Sequence, residues 1–170
     1  FYTAPLQIPG ISFSLPVMDA VAAGGDISIR LTASDSLRSF GPLNFHTEVS
    51  YPVDVVTYAG FNTDGLAFSG LPVSVIDQNG LISITVDTAM AGGRGAVLME
   101  LLFKAKPLAS ATTARFTFSG TSFKRTCAYT VQTANSELFV DGICEKLLQP
   151  AASANFLRPN YPNPFSGSTT

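Results

Sequence analysis

Val73–Val86 reads VSVIDQNGLISITV. Asn79-Gly80 stands between two runs rich in β-branched residues, the strongest short-range signal for a β-hairpin. A two-residue turn fixes the register, so that Gln78 faces Leu81, Asp77 faces Ile82 and Val75 faces Ile84. Val73, Val75, Ile82, Ile84 and Val86 then share one face, and Ser74, Ser83 and Thr85 the other. A hairpin with one apolar face needs a second sheet to cover it, and the rest of the chain is expected to be arranged around this one.

Working outward, period-two alternation recurs on both sides of the hairpin. Ile11–Leu15 alternates and stops at Pro16. In Asp26–Ser34, Ile27, Ile29, Leu31 and Ala33 share a face opposite Ser28, Arg30 and Thr32. In Leu43–Tyr51, Leu43, Phe45, Thr47, Val49 and Tyr51 point inward, and Asn44, His46, Glu48 and Ser50 outward. Pro52 breaks that strand or marks an edge, and Val53–Ala59 resumes it. Ala96–Ala105, AVLMELLFKA, is apolar on both faces through much of its length and reads as an interior strand. Thr113–Thr121, Ala128–Thr133 and Glu137–Asp141 complete the set. No window longer than about ten residues has helical periodicity. Eight or nine short strands separated by turn signals predict an all-β fold, a two-sheet antiparallel β-sandwich of jelly-roll type with extended ends.

The chain has 170 residues, of which 13% are charged and 46% hydrophobic, with 14 Gly, 11 Pro and a net charge of −2. One sandwich domain over 11–148 fits this length, with an extended segment at 1–10 and a Pro-rich linker at 149–170. Low charge with many Ser, Thr, Val and Phe suits an extracellular β-protein. The ten Lys and Arg residues are scattered, and no basic stripe exists to grip phosphates, so nucleic acid is excluded as a partner. No apolar run reaches the ~20 residues of a membrane-spanning helix. The N-terminal FYTAPLQIPG lacks the regions of a signal peptide and reads as an already processed end. Cys127 and Cys144 leave two readings open, buried thiols or a disulfide; the secreted-type composition favours the disulfide. Two cysteines and one histidine are too few for a zinc site within one chain, and no cofactor is expected.

Two resemblances follow from these features. The order VMDAVAAGGD (17–26), ISIRL (27–31), FHTEVSY (45–51), GLISITV (80–86) and AVLMELLFKAK (96–106) resembles that of cohesin domains, over Val17–Lys146. That resemblance implies a non-catalytic sandwich that binds a protein. Cohesins usually continue the tyrosine with Asp-Pro, whereas Tyr51 here precedes Pro52-Val53-Asp54, so no dockerin-contacting residue is carried over. Asn160-Tyr161-Pro162-Asn163-Pro164-Phe165, followed by Gly167, Ser168 and Thr169, resembles the opening of the C-terminal sorting domain of type IX secretion substrates. It implies export to the cell surface or beyond.

Candidate sites are few. His46 and Glu48 point outward on one strand, a pair that could exchange protons, but no nucleophile can be assigned beside them. An ordinary solvated pair is the expectation, and the chain is not expected to be an enzyme. Asp19, Asp26, Asp64, Asp77 and Asp87 lie in or near turns, where capping explains them. GGRG at 92–95 lacks the lysine of a phosphate loop. Asp35-Ser36-Leu37 and Asp87-Thr88-Ala89 resemble the Bacteroidetes O-glycosylation pattern, making Ser36 and Thr88 glycan candidates. Aromatic and aliphatic residues in the two ends (Tyr2, Leu6, Ile8, Phe156, Leu157, Tyr161 and Phe165) suit anchors that insert into a partner's groove. The expected function is protein–protein assembly outside the cell, with copies joined head to tail into a fibre. A carbohydrate-binding or adhesion module, with surface glycan as partner, is the alternative.

Overall fold

The computed structural model describes residues 10–16, 20–34, 43–89, 95–124 and 130–143. They form eleven strands: β1 (Gly10–Ser14), β2 (Ala20–Val21), β3 (Asp26–Ala33), β4 (Leu43–Ser50), β5 (Val56–Asn62), β6 (Val73–Asp77), β7 (Leu81–Ala89), β8 (Ala96–Ala105), β9 (Thr112–Lys124), β10 (Thr130–Ala134) and β11 (Ser136–Val140). Asn79 and Gly80 have φ of 54° and 108°, the left-handed pair that the tight hairpin turn demands. The Gln78 N–H donates to Leu81 O at 2.8 Å, and Asp77 pairs with Ile82, Val75 with Ile84 and Val73 with Val86. The register is the expected one.

The hairpin is nevertheless not the middle of the sheet. One sheet has the order β10-β1-β3-β8-β5 and the other β2-β11-β9-β4-β7-β6, so β6 lies on an edge. Its inward Val73 and Val75 are only half buried, whereas Ile82, Ile84 and Val86 on β7 are fully buried. The interior positions belong to β11, β9, β4 and β7 in the six-stranded sheet, and to β1, β3 and β8 in the five-stranded one. β8 is paired on both sides, as its two apolar faces suggested.

Two pairings depart from the expected antiparallel arrangement. β1 runs parallel to β10, and β2 parallel to β11, so both sheets are mixed. A parallel pair needs a long crossover between its strands. Here the whole body of the sandwich supplies it, because the last strands return to the first. β10 and β11 follow each other directly but sit in different sheets, stitching the two layers together.

The core lies between the layers. The Phe13 and Phe45 rings meet tilted with centroids 5.4 Å apart, Phe45 and Phe68 at 5.8 Å, and Phe103 meets Phe116 at 5.1 Å and Tyr51 at 5.2 Å. Each fully buried ring contributes about 1.5–3 kcal/mol of hydrophobic stabilisation. Thr47 is buried among them. Its hydroxyl donates to Gly120 O at 3.0 Å and lies 2.8 Å from Thr121 Oγ1, which removes the cost of an unpaired buried polar group. A register shift between Leu31 and Thr32 leaves Leu98 as an extra residue on β8. Leu98 and Met99 are consequently both buried, although alternation places them on opposite faces. The 63–71 loop seals Leu98, with Ala67 and Phe68 donating to the carbonyls of Val97 and Leu98.

Candidate functional site: the outer face of the six-stranded sheet

Alternation along each strand turns the polar half of every repeat outward, and cross-strand register assembles these halves into rows. Ser74, Thr85, His46 and Ser122 form one row; Ile76, Ser83, Glu48 and Gly120 form the next. Ser50 and Thr117 follow, then Arg115 beside Glu137, then Thr113 beside Phe139. The face is therefore dominated by small hydroxylated side chains. Its apolar exceptions stand towards opposite edges: Ile76 is 54% exposed and Phe139 44% exposed.

His46 and Glu48 point outward on β4, as the sequence placed them, and β4 puts them near the centre of this face. His46 Nε2 is 3.6 Å from Glu48 Oε1, and its Nδ1 is 3.2 Å from Thr85 Oγ1. The pair sits on an open surface where no wall excludes water. When His46 is charged the ion pair contributes about 0–1 kcal/mol. Arg115 Nη2 and Glu137 Oε1 approach to 2.7 Å at the far side. Among the described residues, no three His, Cys, Asp or Glu side chains gather to hold a metal ion, and no helix is long and apolar enough to cross a membrane.

The opposite face, on the five-stranded sheet, is different in kind. Arg30 Nε donates to Glu100 Oε1 at 3.0 Å, and Asn62 Nδ2 to Glu100 Oε2 at 3.5 Å. A depression of about 310 Å³ lies between Asp26, Ser28, Ala59 and Leu102. The Ser28 hydroxyl is buried there with no hydrogen-bond partner. Of the turn acids, Asp77 accepts from the Tyr51 hydroxyl, and the Asp64 amide donates to Asn62 Oδ1. Thr88 is the next-to-last residue of β7. Cys127, Cys144, Ser36, Tyr2, Leu6, Ile8, Phe156, Leu157 and the Asn160–Phe165 motif lie outside the described residues. Sequence reasoning found His46 and Glu48 but not the face around them, because a row is a product of inter-strand register.

No family model matches the sequence, and no curated protein matches it. Solved structures do match. The non-cellulosomal cohesin from Archaeoglobus fulgidus superposes with a TM-score of 0.62 at 14% identity, over 81% of this chain and 95% of that one. The sixth cohesin of Acetivibrio cellulolyticus scaffoldin B, solved in complex with a Cel5 dockerin, gives 0.59 at 16%, over 78% and 99%. The cohesin module of a Clostridium perfringens family 33 glycoside hydrolase gives 0.59 at 9%, over 78% and 97%. Two mixed sheets in this order, over nearly the full length of those modules, make the fold of this chain a cohesin-like β-sandwich.

Proposed function

We propose that this chain is a non-catalytic protein-recognition module working at or outside the cell surface, and that it docks a partner protein on the outer face of the six-stranded sheet. The observation that carries the reading is the composition of that face: rich in Ser and Thr, with His46 and Glu48 as the paired groups at its centre, Ile76 exposed near one edge and Phe139 near the other. Protein interfaces are anchored by a few apolar side chains, with paired polar groups around them. The six strands together hold 42 residues, and at ~3.3 Å per residue and about 4.8 Å between strands they offer about 650 Å². A typical interface buries about 800 Å² per partner, so the face supplies most of what one needs. The cohesin of Acetivibrio was solved bound to a dockerin, which makes a dockerin-type partner the first to try.

Export is supported by the low charge of the chain and by the sorting-type motif Asn160–Phe165. A carbohydrate module predicts a row of exposed aromatics, and none stands on either face among the described residues; Phe61 and Phe139 belong to different sheets. The test is affinity capture from culture medium and cell envelope with the protein and its Ile76→Glu and Glu48→Arg variants. Both substitutions are on the surface and should leave the melting temperature unchanged. A protein captured by the parent and lost at least tenfold by either variant supports the reading. Equal capture by all three would sink it.

A further inference from the structure

β9 is thirteen residues long, but its two edges are not equally used. One edge pairs with β4 from Lys124 to Thr117. The other pairs with β11 only from Thr112 to Phe116. At that point the chain changes sheets, and the Asn135 side chain accepts from the Phe118 amide at 3.0 Å, where the next β11 residue would otherwise bond. From Ser119 to Lys124 no described strand pairs with this edge. A groove of about 200 Å³ lies along it, lined by Phe118, Ser119, Gly120, Thr121, Val131 and Thr133. The Phe118 amide points away from β4, and past the bulge at Ser119 the alternation of the ladder turns the Thr121 amide the same way. Past Phe118, whose amide Asn135 takes, this edge of β9 has no strand partner among the described residues.

Of the four terminal strands of the two sheets, β10 is five residues long, and the other three are blunted in the manner that protects sheets from adding strands. β2 has two residues, β5 carries a bulge at Ala59, and β6 is five residues long and directly preceded by Pro72. The β9 edge has no proline, and Gly120 leaves room beside it.

We infer that Ser119–Lys124 is a strand acceptor, and that its donor is Ala151–Arg158 of a second copy of the chain, joined head to tail. The inference rests on the assembly reading above and adds to it a second, separate surface. Ladder formation needs backbone N–H groups, so the donor must be free of proline. Ala151–Arg158, between Pro150 and Pro159, is the longest proline-free run after Gln149, whereas Pro5 and Pro9 leave no run longer than four residues before Gly10. The polarity follows from where the chain leaves the body. β11 runs toward the Thr112 end of β9, and Ile143, the last described residue, donates to Leu108 O there, at the end opposite the open edge. β11 and the Asn135 crossover stand between Ile143 and the chain's own acceptor. A neighbour placed end-on presents its Lys124 end directly. A tail entering there runs antiparallel to β9, collinear with the neighbour's β11. Each copy gives at one end and receives at the other, so the contact does not close and a filament results.

The test uses the full 170-residue protein and light scattering after size exclusion over a range of concentrations. The parent should grow past a dimer as concentration rises. Asn155→Pro, which removes a donor amide in the tail, and Thr121→Pro, which removes an acceptor amide, should each stay at the mass of one chain. Mixed in equal amounts they should stop at a dimer, since each retains one working end. Glu48→Arg should polymerise like the parent, which separates this contact from partner docking on the face. A parent that stays monomeric throughout, or an Asn155→Pro variant that polymerises normally, overturns the inference. If Thr121→Pro fails to fold, Asn155→Pro still decides. Hydrogen exchange should slow at Ser119–Lys124 as the parent assembles. Slowing only at β5 or β6, or protection of 119–124 that is independent of concentration, also overturns it.

Discussion

Tyr51 ends its strand with its ring against Phe103 and its hydroxyl donating to both oxygens of Asp77, at 2.9 and 3.0 Å. Burial, and next the Asp77 carboxylate, push its phenol above the ordinary value. Tyr58 packs on the other edge of Phe103, and burial with the same carboxylate pushes it up to about 12. An unfolded tyrosine releases its proton near ~10. Between about pH 10 and about pH 12 the unfolded chain has therefore lost protons that the folded chain keeps, and stability falls as pH rises through that window. Urea unfolding from pH 9 upward should show the midpoint dropping, and Tyr58→Phe should flatten most of the drop while leaving neutral-pH stability within about 1 kcal/mol. A Tyr58→Phe protein with the parent's alkaline profile would refute this. Ser28 makes a complementary case. Its hydroxyl is buried without a partner, so Ser28→Ala should be neutral or stabilising by about 1 kcal/mol, read as an unchanged or higher melting temperature.

The hairpin shows what was legible at the level of elements. Its register was readable because turn chemistry and alternation are both local, and Gly80 at φ 108° is the residue on which they meet. A Cβ there would lie 3.2 Å from Val53 Cγ1 and 3.4 Å from Tyr51 O. Gly80→Ala should therefore cost about 1–2 kcal/mol from backbone strain alone, measured as a lower denaturation midpoint with an unchanged slope. Three features were not legible, and each depends on something remote. Val53–Val55 read as part of a strand, but the Val55 and Val56 amides both donate to the Pro52 carbonyl, winding one turn that leads into β5 at Val56. Leu98 is buried because of a bulge set by the partner strand. β2 is two residues long and exists only through its parallel contact with β11. The same limit applies to the candidate site. His46 and Glu48 share a strand and could be read together, whereas the row Ile76–Ser83–Glu48–Gly120 spans four strands and appears only once they are in register.

At the scale of the whole molecule, the two parallel pairings decide where the described body begins and ends. Gly10 pairs with Thr130, beside the Lys124 end of β9, while the Ile143 amide donates to the Leu108 carbonyl near the Thr112 end. The chain thus enters at one pole and leaves at the other, with its first strand clamped between β10 and β3 and its last between β9 and β2. Tension applied between those two points runs along the strands. To pull out, β1 must slide lengthwise past β10, straining every bond of the Gly10–Ser14 ladder at once, instead of peeling them one by one. Forced unfolding is governed by the unfolding barrier and not by equilibrium stability, and a ladder loaded in shear raises that barrier. The return of the last strands to the first makes this sandwich a link suited to carrying load.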